Sequence, residues 1–427
     1  MSQQTSISSS STKRFGHFDY IKITALGFAL TGLWSSLNSI ILPIRLLEYL
    51  PESEKNTYLG LLTFAGLILA MITQPIAGAI SDRSSLSWGR RRPYILLGAI
   101  LALIFLPGIG LAGSYIMLFI AYCLVQISCN MAQAPYQAFI PDLIPQNRRG
   151  LASGVKSMLE ILGGVALVRL TAYFMGRYFG GEGGSWLWMA LGALITVLLV
   201  ATIVTVLTVK ERPGTGTPKL PLLTLYKSFK IDVKAHPDFL LFLVSRGLMG
   251  MPGVMLQTFA LYYLMDVIGI ANPAAATADL MIVVGLCLLA VVYPAGRLSD
   301  RIGRKPIVIS SGLIGGLGVV LLLFSQNYMH IMLCGALLGI ANGALLSSSW
   351  ALATDLMSKG EEARYLGLTN LAMAGGSALA RLVGPVIDFF NKISSGLGYQ
   401  IMLLVCFISF VVGALLVIKI RRHEPLR

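Results

Sequence analysis

A chain of 427 residues that is 56% hydrophobic and only 12% charged carries about half the charge of a soluble globular protein. Its mean hydropathy of +0.76 excludes a soluble fold, because no soluble core hides that much apolar surface, whereas a lipid bilayer requires it. The net charge of +14 raises nucleic acid as a partner. The basic residues argue against it, since they sit in short segments between apolar runs and not on one amphipathic face.

In chain order, residues 1–19 are rich in Ser, Thr and Gln and hold neither an apolar core nor a small-residue cleavage site. They read as a disordered cytoplasmic tail, with the first span acting as an uncleaved targeting signal. Twelve apolar runs then meet the length of about 20 residues that a spanning helix needs: 20–47, 57–81, 94–112, 115–140, 150–176, 186–209, 238–266, 276–297, 306–325, 330–356, 364–390 and 397–420. Between the sixth and seventh lies 210–237, with Pro213, Pro218, Pro221, Pro237 and six Lys or Arg. It is too polar to span and reads as a cytoplasmic linker, part of which (222–234) suits a short amphipathic helix on the membrane. Residues 421–427 form a second cytoplasmic tail. The expected domains are thus two six-helix bundles, 20–209 and 238–420. Five cysteines fall inside the apolar runs with no metal or CxxC spacing, as small buried apolar residues do.

Twelve spans put both termini on one side, and positive charge selects which. Of the 33 Lys and Arg, 26 fall on the side of the termini and 4 on the other, so the rule that cytoplasmic loops are basic predicts cytoplasmic termini. The remaining three, Arg169, Arg246 and Arg381, lie within spans.

One string occurs twice. Ser81-Asp82-Arg83 is followed by Gly89-Arg90-Arg91-Arg92-Pro93, and Ser299-Asp300-Arg301 by Gly303-Arg304-Lys305-Pro306. Each reads as a short charged turn between two spans at the membrane surface. Further matches recur about 212 residues apart. The run from Gly163 to Leu170 aligns with Gly375 to Leu382, which sets Arg169 opposite Arg381; Asn130 aligns with Asn342, and Asp142 with Asp355. This is a parallel repeat of six helices, a plan common among transporters.

These residues resemble the major facilitator superfamily. Gly78 with Asp82-Arg83 and Gly89-Arg90-Arg91 fits the motif after span 2, and Gly296 with Asp300-Arg301 and Gly303-Arg304 fits its copy after span 8. The resemblance covers nearly the whole chain. The loop running through Trp88-Gly89-Arg90-Arg91-Arg92-Pro93-Tyr94 further resembles the sucrose/proton symporter branch, allied to the glycoside–pentoside–hexuronide cation symporters. The fold implied is an all-α membrane protein of twelve transmembrane helices in two pseudo-symmetric bundles. The function implied is secondary transport by alternating access in the cell membrane.

Candidate residues follow. Asp82, Arg83, Gly89, Arg90, Arg91, Asp300, Arg301, Gly303 and Arg304, with Asp142, Arg149, Asp355 and Arg364, are expected to gate the cytoplasmic side, latching the bundles in one state and releasing them in the other. The alternative is that these arginines set topology through anionic lipid. Arg169 and Arg381 sit roughly 25–29 Å from the cytoplasmic ends of their spans at 1.5 Å per residue, placed to snorkel outward, to gate the outer side or to bind substrate hydroxyls there. Glu160 is the most deeply placed carboxylate and the candidate proton carrier, with Lys156 one turn away as a structural partner.

The resemblance implies a cavity lined by spans 1, 4, 7 and 10. There Asn38, Gln126, Asn130, Gln133, Tyr136, Arg246, Gln257, Asn342 and Trp350 combine amide and aromatic groups that suit a sugar; interhelical hydrogen bonding is the plainer role for such amides. Spans 2 and 4 hold no Asp or Glu, which argues against the sodium coupling of melibiose-type symporters. The reading is sugar/proton symport, with Asp266 and Asp388 as further acids. An efflux carrier for apolar or cationic solutes, a uniporter, and a non-transporting receptor or chaperone stay as alternatives. No nucleotide-binding loop, metal set or cofactor motif is present in the sequence, so no enzyme is expected.

Overall fold

The structure, a computed structural model, describes residues 17–211, 237–356 and 362–420. Most of the expected linker and both tails fall outside the described residues, as do the side chains around Arg364. Among the described residues, twelve helices are long and apolar enough to cross a membrane. They are α1 (Phe18–Leu46), α2 (Glu52–Asp82), α3 (Arg92–Leu111), α4 (Tyr115–Leu143), α5 (Gln146–Phe179) and α6 (Ser185–Thr208). The second half supplies α7 (Pro237–Asp266), α8 (Pro273–Ile302), α9 (Arg304–Leu323), α10 (Tyr328–Asp355), α11 (Tyr365–Ile393) and α12 (Leu397–Lys419). Each coincides with one predicted run. Helices are required here because lipid offers no partner to a backbone N–H or C=O.

The ends differ instructively. The first helix already begins at His17, inside the predicted tail. α2 continues through Asp82 and α8 through Ile302, so each Ser-Asp-Arg string ends a helix and does not form a turn. Backbone hydrogen bonding extends past the apolar run into the charged interface, where hydropathy carries no signal. The second reversal is Gly303 alone, at φ +97.

Neighbour relations repeat between halves. α1 packs on α5 and α6 as α7 packs on α11 and α12. α3 packs on α4 and α6 as α9 packs on α10 and α12, and α2 meets α4 as α8 meets α10. Close approach at the first of these contacts depends on missing side chains: a Cβ on Gly163 would stand 2.1 Å from the Phe28 carbonyl oxygen, and one on Gly376 would stand 2.3 Å from that of Gly247. Gly375, the partner of Gly163 in the sequence alignment, faces open space. The structural register is therefore one residue off the alignment, or about 100° of helix rotation. Arg169 and Arg381 are in consequence not equivalent, and they face different surroundings.

α1 is interrupted by a π-helical turn at Leu37–Ile41, which contains Asn38. Pro43 follows in the next turn and has no N–H to give to the carbonyl four residues earlier, so the ladder slips at that point.

The two bundles meet along α2 with α11, α5 with α8, and α1 with α7. Hydrogen bonds and ion pairs between them gather at the end of the molecule away from the repeated Asp-Arg strings.

Candidate functional site

A cavity of about 480 Å³ lies between the bundles. α1 contributes Thr31 and Ser35, α5 contributes Glu160, Ile161 and Gly164, and α7 contributes Arg246, Gly250, Gly253 and Gln257. α8 and α10 complete it with Leu280, Met281, Leu288, Leu338, Asn342 and Ser349, and Met373 enters from α11. Four residues expected from sequence thus converge: Glu160, Arg246, Gln257 and Asn342. The spans that line the cavity include α5 and α8 as well as α1, α7 and α10.

Arg246 is buried, 4% exposed. Its guanidinium stacks over Trp350, 4.4 Å from the ring centroid, donates to Ser349 Oγ, and lies 3.1 Å from the Met373 sulfur. Its Nε is buried without an acceptor, and no carboxylate pairs with it among the described residues. Glu160 stands 3.6 Å from Lys156, one turn away on the same helix. Tyr136 packs beneath this pair: Lys156 Nζ is 5.4 Å from its ring centroid, and its hydroxyl donates to the Thr24 carbonyl.

The expected amides of the first bundle form a separate chain. Gln74 donates to Asn130 at 2.7 Å, Asn130 to Gln126 at 2.9 Å, and Gln126 to Tyr122 at 2.6 Å. The Tyr122 hydroxyl then donates to Asn38 at 2.9 Å, with Trp34 edge-on to its ring. Gln126 and Asn130 are buried and satisfy one another, unlike Asn342, whose side chain bonds the Leu338 carbonyl and still borders the cavity. In the other bundle the Nη1 of Arg381 donates to the Ser377 carbonyl. Gln133 is half-buried on α4.

Among the described residues, ion pairs of the charged strings form inside each bundle. Arg91 binds Asp82 at 2.5 Å and Asp142 at 2.9 Å, while Arg90 binds Asp82 at 2.8 Å. These contacts lock the α2–α3 turn to the end of α4. In the second half Arg304 pairs with Asp355, joining α9 to α10. Arg149 donates to the carbonyls of Ile144 and Pro141, closing the turn before α5. Asp300 and Arg301 are exposed on the last turn of α8.

Glu211, just past α6, accepts from the backbone N–H of Arg91 at 2.7 Å and of Arg92 at 3.3 Å, and so caps α3. Burial pushes its carboxyl above the usual range, and these two donors offset only part of that.

Sequence reasoning missed the far-end contacts. Lys55 of α2 reaches Asp266 of α7, and Asn56 and the Thr57 N–H reach Asp388 of α11. Arg169 of α5 pairs with Asp279 of α8 at 2.9 Å. The available signal was the rarity of charge near these span ends, without any indication of which charges meet.

The family described as MFS/sugar transport protein matches residues 54–390. The lactose permease of Lactobacillus helveticus is 26% identical over 403 residues, covering 87% of this chain and 60% of that protein. The multidrug resistance protein MdtG of Enterobacter lignolyticus (strain SCF1) is 25% identical over 404 residues, covering 89% and 92%. The minor myo-inositol transporter IolF of Bacillus subtilis (strain 168) is 25% identical over 116 residues, so the chain spans 26% of that relative and 60% of the permease. Among solved structures, the D-xylose-proton symporter superposes with a TM-score of 0.74 at 18% identity, covering 95% of this chain and 98% of that one. The nucleoside transporter NupG does so at 0.73 and 14%, covering 95% and 99%. These likenesses carry the fold. With twelve spans in two repeated bundles and a family match over most of its length, the chain is a multi-pass membrane protein and belongs to the MFS/sugar transport protein family.

Proposed function

We propose that the protein is a sugar/proton symporter working by alternating access, with the inter-bundle cavity as its substrate site and Glu160 as its proton carrier. The observation that carries this reading is the convergence of Glu160, Arg246, Gln257 and Asn342 on one cavity between two bundles that are clasped at one end. A carboxylate inside a span costs stability unless it has work to do. The family description and the lactose permease relative favour a sugar. Applied to this structure, the basic-loop rule makes the clasped end the outer one, so the conformation is closed to the outside. The charge pairs inside each bundle then act as braces that keep each half rigid while it rocks.

A second reading is supported by the cavity wall, where apolar residues such as Leu280, Met281, Leu288 and Leu338 form the majority, and by the multidrug resistance relative. It is efflux of apolar solutes. Uptake of labelled sucrose and maltose into proteoliposomes under an inward proton gradient separates the two. Accumulation abolished by a protonophore supports symport, and Glu160→Gln then loses accumulation while keeping exchange at equilibrium. Equilibration without accumulation indicates a uniporter. No uptake of either sugar overturns the sugar reading and favours efflux.

A further inference from the structure

Charge in the cavity does not balance. Lys156 offsets Glu160, and Arg246 has no carboxylate among the described residues. A guanidinium has five N–H donors in a planar fork. Here one donor is spent on Ser349 and another on the Met373 thioether, a weak acceptor, while Nε is buried with none. Trp350 holds the plane of the fork. A buried cation left in this state is costly, and a bidentate anion is the group that relieves it best.

The remainder of the cavity has a different character. Arg246 and Tyr263 both border it, and they lie 17 residues apart on α7. At 1.5 Å per residue the cavity follows that helix for roughly 25 Å. Away from Arg246 its wall is mainly apolar, through residues such as Leu280, Met281, Leu288 and Met402, and is broken by Thr31, Ser35, Glu160, Gln257 and Asn342. A Cβ on Gly250, one turn from Arg246, would meet nothing within 4 Å, so the α7 backbone is open to a ligand there. A hydroxyl-rich disaccharide would find few partners along such a wall, since each buried hydroxyl needs one.

We infer that the solute held in this cavity is an organic anion with an elongated apolar body, its carboxylate or like group clamped by Arg246. This rests on the cavity being the transport site, and it does not require that the solute be a sugar.

Isothermal titration of the full-length protein in detergent with two matched pairs tests it. Phenyl β-glucuronide and phenyl β-glucoside differ by a carboxylate in place of a hydroxymethyl group; 4-phenylbutyrate and 4-phenylbutanamide form the non-sugar pair. The expected result is that at least one anion binds about tenfold or more tightly than its neutral partner, as charge-assisted hydrogen bonds allow. Arg246→Gln should level that pair, and Arg246→Lys should retain part of the preference. Preference in the phenylbutyrate pair with neither glycoside bound upholds the inference and removes the sugar reading. Equal binding of glucoside and glucuronide, without preference in the other pair, overturns the inference and leaves the sugar reading standing. Binding of none of the four overturns the inference. So does an anion preference that survives in a monodisperse Arg246→Gln protein, since the clamp would then lie elsewhere.

Discussion

The Lys55 ammonium lies 2.7 Å from the Asp266 carboxylate, and through this contact α2 of one bundle holds α7 of the other. Lys55 is only 3% exposed, and its ammonium also sits 5.1 Å from the Tyr262 ring centroid. The second Asp266 oxygen accepts from the Tyr399 hydroxyl at 2.7 Å. Asp388, also buried, accepts from Asn56 at 2.8 Å and from the Thr57 N–H at 2.6 Å. The alternating access proposed above requires the bonds that Lys55, Asn56 and Thr57 make to the other bundle to break together, whereas the Tyr399–Asp266 bond stays inside the second bundle. Lys55→Met leaves Asp266 without its cation, which is the expensive way to break such a pair. Amide hydrogen exchange in 262–270 and 384–393 is expected to rise in this variant. Lys55→Met combined with Asp266→Asn should return part of the protection; unchanged exchange in the single variant would show that the clasp carries little energy.

Arg169 and Asp279 form a second bridge between bundles, with the Tyr328 hydroxyl holding the other Asp279 oxygen at 2.7 Å. Arg169 is about half exposed, so the pair is screened and modest in strength. Arg169→Asp is expected to lower the melting temperature at low salt, and adding Asp279→Arg should restore it. The gap should narrow in high salt. A double reversal no better than the single one would mean that the two charges do not act as a pair.

Glu211 and Gly89 form one joint. Gly89 sits at φ +138, and a Cβ there would stand 2.6 Å from Glu211 Oε2. Gly89→Ala should therefore cost about 1–3 kcal/mol through backbone strain and loss of the α3 cap. A melt that does not shift would exclude that coupling.

The same carboxyl predicts a pH effect. Its folded pKa is raised above the ordinary 4.5, so the folded state binds more protons than the unfolded one in the window just above that value. Stability contributed by this group is then present below pH 4.5 and lost as pH rises through the folded pKa. Glu211→Gln should remove that part of the slope from a series of melts between pH 4.5 and 7. An unchanged slope would show that other groups produce it.

Gly250 tests the cavity without disturbing the packing. Alanine adds roughly 1 kcal/mol of helix propensity, and nothing lies within 4 Å of the new methyl. Gly250→Ala is expected to keep or raise the melting temperature while weakening the binding of any cavity ligand severalfold. Unchanged affinity would remove the α7 wall from the site.

The spans were legible because the bilayer acts on every residue of a helix in the same way, so hydropathy adds up along the chain. The repeat was legible in the Asp82 and Asp300 strings for a similar reason, since helix ends at an interface carry the same charges in both halves. The cavity was legible in part. Arg246, Gln257 and Asn342 reach it, whereas Asn38, Gln126 and Asn130 bond to one another and to Tyr122. Sequence does not distinguish the two fates, because an amide that lines a cavity and one that joins helices have the same composition. Arg169 and Arg381 align in sequence yet diverge in space, since a one-residue slip between Gly163 and Gly376 turns the helix face by about 100°.

Sequence by itself determined the class, the twelve spans and their duplication, together with the scarcity of intramembrane charge, all of which are sums over local composition. Tertiary structure alone decided that Lys55 meets Asp266 across 211 residues, that Arg246 has Trp350 and Ser349 for neighbours but no carboxylate among the described residues, and that Arg91 pairs with Asp82 and Arg304 with Asp355 within their own halves. The physical reason is rotation. Each residue turns a helix by about 100°, so which side chains face one another depends on how all twelve helices settle together, and no local sum contains that information.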